Sequence, residues 1–171
     1  CGKEYAVTKE EFAQVVFAST DSLYRISKSI LRNDADCEDA VQEAITIAFE
    51  KLYTLRKDCY AKTWLVRIVM NECYKIARRK EREYATEQSD MLEKQEQSET
   101  TGLKLEQSDV YQALLILEER QRVVLELFYV EQYSLKEIAR ITNVPVGTVK
   151  SRLNRGRKQL RKCFEEEFVY E

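Results

Sequence analysis

A basic segment near the end of the chain, residues 134–162, has the residue types and the spacing that bind DNA. Between Thr148 and Lys162 there are seven Lys or Arg residues and no acid, although the whole chain has a net charge of -2. Asn143 and Pro145 predict a turn between a short helix and the basic helix. A basic helix held at an angle to a supporting helix is the arrangement that enters the DNA major groove.

Helical geometry assigns the two sides of this basic helix to different surroundings. Successive residues of an α-helix are rotated by about 100°. This rotation brings an apolar row to the side of the supporting helices, namely Val149, Leu153, Gly156, Leu160 and Phe164. Because glycine lowers helix propensity by about 1 kcal/mol, its place in this row predicts close packing of the backbone. Opposite this row lie Ser151, Asn154, Arg155, Lys158 and Lys162, with Lys150 on the flank. The candidate DNA contacts are Lys150, Ser151, Arg152, Asn154, Arg155 and Lys158. Cations bind phosphates, and Arg, Ser and Asn also bond base edges. A solvated cationic helix is the alternative interpretation.

A second candidate nucleic-acid surface lies on a long helix that we predict from Thr63 to about Tyr84. The side of this helix opposite its apolar row combines aromatic rings, cations and an amide, namely Trp64, Arg67, Asn71, Tyr74, Lys75, Arg78 and Arg82. Unstacked bases bind aromatic rings with about 1–3 kcal/mol each, while Arg and Lys bind the backbone. Alternatively, Trp64 and Tyr74 complete the edge of the core and the cations are solvated.

An acidic stripe distinguishes the preceding helix, which we predict to begin near Asp36 with that residue as its cap. Apolar side chains gather on one side of this helix. The other side carries no basic residue within about 80° of arc and presents Asp39, Gln42, Glu43, Thr46 and Glu50. This pattern is typical of an ordinary solvated face, or of a docking surface for a basic partner.

The composition predicts an all-α protein with two small helical domains. Four Gly and one Pro in 171 residues are too few for the turns of a sheet protein. Residues 85–107 contain six acids and few large apolar side chains, so we expect a flexible acidic linker there. The linker separates a domain at residues 1–84 from a domain at residues 108–171 that contains the helix-turn-helix.

Local signals predict where several other helices begin. Residues 8–11 and 134–137 both have the Ser/Thr-x-x-Glu pattern of a capping box. The first box should open a helix that reaches about Leu31. In the second domain, Asp109 should cap a helix, and a further helix should run from about Glu119 to Val130.

The sequence predicts neither catalysis nor metal binding. The chain has no His, which removes Ser-His and Cys-His pairs, and it has no glycine-rich phosphate loop. No C-x-x-C pair occurs among the five cysteines, which are Cys1, Cys37, Cys59, Cys73 and Cys163. We therefore expect no metal, no cofactor and no small-molecule substrate, with most thiols buried in a reducing compartment. Because a membrane span and a secretory signal are also lacking, we expect a cytoplasmic protein.

Four stretches, in this order, resemble the extracytoplasmic-function sigma factors, the sigma-70 relatives that keep only conserved regions 2 and 4. They are DADCEDAVQE at 34–43, TWLVRIVMN at 63–71, LEERQRVVL at 117–125, and SLKEIA at 134–139 followed by VPVGTVKSRL at 144–153. The sequence departs from the family pattern at Glu118, where Pro is common, and at Gln132-Tyr133, where Gly is common. We expect these departures to change local turns and to leave the function intact.

The resemblance implies a bacterial transcription initiation factor that responds to stress and opens promoters together with RNA polymerase. Core polymerase would bind the acidic stripe through its β′ clamp helices, at Asp39, Gln42 and Glu43. The melted −10 element would bind Tyr60, Trp64, Arg67, Asn71, Tyr74, Lys75 and Arg78, with a base pocket in the loop 56–62. The duplex −35 element would bind Lys150, Ser151, Arg152, Asn154, Arg155 and Lys158.

Further partners follow from the same resemblance. The second domain would also contact the polymerase β flap, and the acidic linker would occupy the RNA exit channel. An anti-sigma factor, anchored in the membrane, would hold the protein at the inner face of that membrane.

Two other classes of protein fit the residues without the resemblance. A stand-alone helix-turn-helix regulator would use residues 1–84 for sensing or dimerisation, and would bind duplex DNA without polymerase. A sigma mimic would sequester an anti-sigma factor and would open no promoter. Neither of them would direct transcription initiation when core polymerase is present.

Overall fold

The structure is a computed structural model that describes residues 7–87 and 114–167, and it describes side chains at 7–84 and 114–162. All regular elements within these ranges are helical, which confirms the all-α prediction. The chain divides between Thr101 and Gly102 into two compact units. The helix predicted after Asp109 and most of the predicted linker lie outside the described residues, and the domain boundaries at 84 and 108 remain predictions.

The described residues of the first unit form three α-helices. Helix α1 spans Lys9–Leu31, α2 spans Asp34–Glu50 and α3 spans Ala61–Glu87. Two short 3₁₀ turns, Leu52–Thr54 and Asp58–Tyr60, connect α2 to α3. The predicted capping box opens α1, because the Thr8 hydroxyl accepts from the Glu11 N–H while the Glu11 carboxylate accepts from the Thr8 N–H.

The junction between α1 and α2 corrects one prediction about a helix cap. Arg32 has a left-handed backbone with φ of 62° and ends α1. Asn33 is extended, and its side chain accepts a hydrogen bond from the Asp36 N–H at 3.0 Å. The prediction of Asp36 as the cap is therefore wrong, since Asn33 already satisfies the free donor and α2 begins at Asp34.

Aromatic packing at one end of the first unit sets the directions of its helices. The Phe12 ring centroid lies 5.1 Å from that of Phe49 and 5.8 Å from that of Trp64, both in edge-to-face geometry. This cluster joins the start of α1, the end of α2 and the start of α3. Lys80, late in α3, pairs with Asp36 at the start of α2. Consequently α2 runs antiparallel to both α1 and α3.

A polar cluster at the α1–α2 junction fixes that corner of the bundle. Lys28 is only 8% exposed, and its Nζ binds Asp34 Oδ1 at 2.5 Å and the Arg32 carbonyl at 3.0 Å. The Tyr24 hydroxyl donates to the same Asp34 oxygen at 2.7 Å. The hydrogen bond from Lys28 holds the pKa of the Asp34 carboxyl below its usual value. Burial, together with this acidic partner, raises the pKa of Tyr24.

The second unit is built from short helices that support one long helix. Helix α4 spans Glu119–Leu125 and continues as a π-helical segment, Glu126–Val130. Helix α5 spans Leu135–Thr142 and α6 spans Val146–Glu167. The helix predicted from about Glu119 to Val130 is confirmed by these two segments. Its second half is wider than an α-helix, and the Glu131 N–H donates to the Glu126 carbonyl five residues back.

The Asp34 cluster predicts a pH-dependent stability. Because its folded pKa is depressed, ionised Asp34 stabilises the fold above its unfolded pKa of about 3.9, and this contribution is lost as the pH falls through the folded value. At pH 7, Asp34→Asn should lower the free energy of unfolding by about 1–3 kcal/mol, because the buried Lys28 loses its charged acceptor. Urea unfolding at a series of pH values should show this difference shrinking below about pH 4.

The control for this measurement is Asp21→Asn, which changes an exposed acid on α1, the helix that carries Lys28. It should leave the free energy of unfolding within about 0.5 kcal/mol of the unsubstituted protein at pH 7. A difference for Asp34→Asn that stays constant from pH 7 to pH 3 would contradict the assigned role of the ionised carboxylate.

Candidate nucleic-acid and partner interfaces

The acidic stripe occupies the solvent side of α2. Its side chains are exposed, namely Asp39, Gln42, Glu43, Thr46 and Glu50. Small side chains on the opposite side, Ala40, Ala44 and Ala48, are fully buried against the neighbouring helices. These alanines allow α2 to pack closely on its neighbours, and this packing leaves the acidic side chains on the solvent side.

The aromatic–basic face of α3 is divided between the core and the solvent. Its cations and amide are exposed, namely Arg67, Asn71, Lys75 and Arg78. Trp64 and Tyr74 are half-buried, and the Trp64 ring packs on Phe12. Trp64 therefore completes the core edge, as one of the two interpretations held, while part of its ring remains available to solvent.

Tyr60 lies in the loop immediately before α3. Leu55 and Ala61 are buried and anchor the two ends of the loop. Between them, the Asp58 carboxylate accepts a hydrogen bond from the Cys59 N–H at 2.7 Å, within the second 3₁₀ turn. Tyr60 is 37% exposed. Its aromatic ring therefore stands at the end of this short connection, one residue before α3 begins.

The helix-turn-helix has the local structure that its sequence predicts. Ser134 and Glu137 form the capping box of α5, and hydrogen bonds from Ser134 lower the pKa of the Glu137 carboxyl. Asn143 ends α5 in the left-handed conformation, with φ of 53°. The Pro145 carbonyl then accepts from the Thr148 N–H in the first turn of α6. The turn is thus set by residues whose backbone preferences suit it.

Gly156 sets the distance between α6 and α4. A Cβ built on this residue would lie 2.7 Å from Leu125 Cδ1 and 3.5 Å from Gln121 Cβ, and real Cβ atoms do not approach other atoms as closely as the first of these. The prediction of close packing at this glycine is confirmed. Val149 and Leu153, on the same side of α6, are also buried.

The outer side of α6 is polar and basic. Five of its six candidate DNA contacts are exposed, namely Lys150, Ser151, Asn154, Arg155 and Lys158, and Arg152 is half-buried. Polar and cationic side chains therefore project from the helix on the side away from Leu153 and Gly156. Such a surface can bind phosphates and the edges of bases.

Arg157, unlike the candidate DNA contacts of α6, lies over aromatic rings. Its guanidinium lies 5.8 Å from the Phe128 ring centroid and 5.4 Å from that of Tyr129. The two rings come from the π-helical segment and pack edge-to-face on each other. A cation–π contact of this kind contributes about 0.5–1 kcal/mol at an exposed site. The sequence did not predict this cation–π contact, because no local pattern indicates the π-helical turn.

The described cysteines differ in their exposure to solvent. Cys37 and Cys73 are buried and Cys59 is exposed, and burial raises the pKa of the Cys37 thiol to about 11. Among the described side chains, no three His, Cys, Asp or Glu residues are grouped as metal ligands. The helices that the structure describes include none that combines the length and the apolar character needed to cross a membrane. Cys1 and Cys163 lie outside the described side chains.

Two helical units, one with a basic helix-turn-helix and one with separate acidic and aromatic–basic faces, define a DNA-binding transcription protein. Residues 16–83 match the model of sigma-70 region 2, and residues 107–160 match the model of sigma-70 region 4. The ECF RNA polymerase sigma factor SigW of Bacillus subtilis is 32% identical over 166 residues, which cover 90% of this chain and 89% of SigW. The chain therefore belongs to the extracytoplasmic-function group of sigma-70 factors.

Other relatives and solved structures agree. The ECF RNA polymerase sigma factor SigM of Mycobacterium tuberculosis is 30% identical, over 81% of this chain and 69% of SigM. The sigma factor RpoE of Bartonella quintana, solved in complex with the anti-sigma factor NepR, matches with a TM-score of 0.76 and 26% identity, over 91% of this chain and 98% of RpoE. CnrH, solved with the cytosolic domain of CnrY, has a TM-score of 0.65 at 21% identity and shows the same fold.

The packing of α6 on α4 can be tested with two glycines of the same helix. Gly156→Val should destabilise the second unit by about 1–3 kcal/mol, because the new side chain overlaps the buried Leu125. Gly147→Val should change stability by less than about 0.5 kcal/mol, since a Cβ there meets nothing within 4 Å. Amide hydrogen exchange in α4 and α6 measures both effects within this unit. Equal exchange rates in the two variants would show that Gly156 is not needed for the close packing of α6 on α4.

Proposed function

We propose that this sigma factor anchors the −35 element with its second unit and holds the melted −10 element on its first unit. The observation that best supports this division is the presence of separate exposed faces on the two family domains. The basic face of α6 suits duplex DNA, whereas the face of α3 combines rings, cations and an amide. Residues 1–84 and 108–171 would then be the region 2 and region 4 domains of one initiation factor.

The −35 element would be bound by the outer side of α6. Lys150, Arg152 and Lys158 would neutralise phosphates, and Ser151, Asn154 and Arg155 would reach base edges in the major groove. The turn at Asn143 and the packing at Gly156 support this assignment, because they fix the angle at which α6 projects.

The −10 element would be bound after its bases unstack. Tyr60, Tyr74 and the solvent side of Trp64 offer rings to flipped bases, and Asn71 offers both a donor and an acceptor. Arg67, Lys75 and Arg78 would hold the backbone of the single strand. Capture of unstacked bases stabilises the open promoter, so this chain needs no nucleotide hydrolysis of its own. Catalysis would belong to the polymerase, and the sigma factor would act without a cofactor or a small-molecule substrate.

Core polymerase would be bound by the acidic stripe. Asp39, Gln42 and Glu43 are exposed on one side of α2, which suits a basic surface such as the β′ clamp helices. The second unit would in addition contact the β flap. The acidic residues 85–107 would pass through the RNA exit channel, where negative charge resembles that of the transcript.

Regulation would come from an anti-sigma factor that covers these faces. RpoE, which this chain resembles over most of its length, was solved in complex with the anti-sigma factor NepR. A membrane-anchored anti-sigma factor would hold this protein at the inner face of the membrane until stress releases it. The active protein would work in the bacterial cytoplasm, where it meets polymerase and promoter DNA.

Reconstitution with core RNA polymerase tests this function directly. The full chain, added to core enzyme from its source organism, should direct run-off transcription from a promoter with matching −10 and −35 elements. Binding to duplex DNA without polymerase, with no effect on initiation, would support a stand-alone regulator. Binding to an anti-sigma factor without initiation would support a sigma mimic.

Two arginines of α6 provide a matched test of −35 binding. Arg155→Ala should weaken binding of the holoenzyme to a −35 duplex by about 5–150-fold, since an exposed base or phosphate contact is lost. Arg157→Ala should change this affinity less than about threefold, because Arg157 lies over the rings of Phe128 and Tyr129. Electrophoretic mobility shifts at fixed salt concentration measure both variants. A larger loss for Arg157→Ala would mean that the DNA-binding side of α6 is misassigned.

A further inference from the structure

One ring of the proposed −10 surface, that of Trp64, packs against a ring of the buried core. Phe12 is fully buried, and its ring centroid lies 5.8 Å from that of Trp64, with the two planes inclined by 63°. Trp64 is half-buried, so its indole ring lies at the boundary between the core and the solvent. This pair of rings therefore connects the interior of the first unit to the surface proposed for the −10 element.

Phe12 is held in place from two directions. Its backbone N–H donates to the Thr8 carbonyl at 2.9 Å, in the first turn of α1, where the capping box of Thr8 and Glu11 lies. Its ring also contacts Phe49 near the end of α2, with centroids 5.1 Å apart and an interplanar angle of 80°. Because both its backbone and its ring are held, Phe12 offers Trp64 a fixed surface to pack on.

The inclination of the two rings suits the binding of a third ring. Bases stack on the faces of aromatic side chains in single-stranded nucleic acid complexes. Phe12 contacts Trp64 in edge-to-face geometry, which is a favourable arrangement for an aromatic pair. The contact thus orients the indole ring without taking the parallel arrangement that a stacked base would take.

An indole ring that is oriented in advance binds a base more tightly than a freely rotating one. A side chain that is mobile before binding loses rotamer freedom when it stacks, and this loss weakens the complex. Trp64 loses that freedom when the protein folds, because it then packs on Phe12. Holding one side chain in this way should strengthen binding by about threefold to tenfold.

We propose that Phe12 is a positioning residue for the −10 element, because it holds the Trp64 ring in the orientation that an unstacked base needs. This inference rests on the proposed binding of the melted −10 strand by Trp64. Phe12 precedes residues 16–83, which match the model of sigma-70 region 2. The first turn of α1, outside the matched residues, thereby contributes to capture of the open promoter.

The variant Phe12→Leu tests the proposal, because leucine keeps an apolar contact and removes the ring. Trp64 is the one tryptophan of the chain, so its time-resolved fluorescence anisotropy measures the mobility of this ring in the free chain. Phe12→Leu should enlarge the fast component of that anisotropy. In the holoenzyme, at saturating core polymerase, it should weaken binding to a promoter with a premelted −10 bubble by about threefold to tenfold. Affinity for core polymerase should stay within about twofold.

Leu23→Ala is the matched control for loss of stability. Leu23 is another fully buried residue of α1, and it lies about 16 Å along the helix from Phe12. Leu23→Ala should destabilise the first unit through the cavity that it leaves, while bubble binding stays within about twofold and the anisotropy of Trp64 is unchanged. An equal loss of bubble binding in both variants would overturn the inference. Unchanged anisotropy or unchanged bubble binding in Phe12→Leu would overturn it as well.

Trp64→Ala separates this inference from the function on which it rests. If Trp64→Ala binds the premelted bubble as tightly as the unsubstituted chain, the proposed −10 role of Trp64 is overturned. If it loses bubble binding while Phe12→Leu keeps it, only the positioning role of Phe12 is overturned. Where circular dichroism shows that Phe12→Leu is unfolded, Phe49→Leu takes its place, because it removes the second ring that holds Phe12. Ile26→Val, at a fully buried position, replaces Leu23→Ala on the same criterion.

Discussion

The edge-to-face packing of Phe12 on Phe49 and Trp64 is the interaction on which the first unit depends, because it joins all three helices at one end. Aromatic pairs of this geometry contribute about 0.5–1.5 kcal/mol beyond the area that they bury. The pair of Asp36 with Lys80 joins α2 and α3 nearer the other end. With both ends fixed, α2 cannot rotate on α3, and the faces of the two helices keep constant directions.

This constraint explains how the three described helices of the first unit keep two exposed faces in fixed directions. One is the acidic stripe of α2 and the other is the aromatic–basic face of α3, and a groove lies between the two helices. In the second unit, one side of α6 packs against α4 through the close contact of Gly156 with Leu125. Arg157 lies over aromatic rings, whereas Arg155 is exposed. Nearby arginines of one helix thus have different surroundings, because helical geometry turns them apart.

Local features were predictable from sequence, whereas features made by distant contacts were not. The capping boxes at Thr8 and Ser134 and the left-handed Asn143 depend on neighbouring residues only. The prediction of Asp36 as a cap failed because Asn33 competes for the same position, and both residues are good caps. The π-helical turn at Glu126 and the half-burial of Trp64 depend on packing partners far along the chain. For the same reason the groove was missed, since its two walls lie about thirty residues apart in sequence.

The central claim is that different faces of this small protein contact different parts of the open promoter complex. Site-specific photo-crosslinking measures this directly, with a benzophenone amino acid placed singly at Glu43, Asn71 and Arg155 of the reconstituted complex. We predict crosslinks from position 43 to the large polymerase subunit, from position 71 to the non-template −10 strand, and from position 155 to the −35 duplex. Crosslinks from position 71 to polymerase, or from position 43 to DNA, would contradict the division of faces on which this account is built.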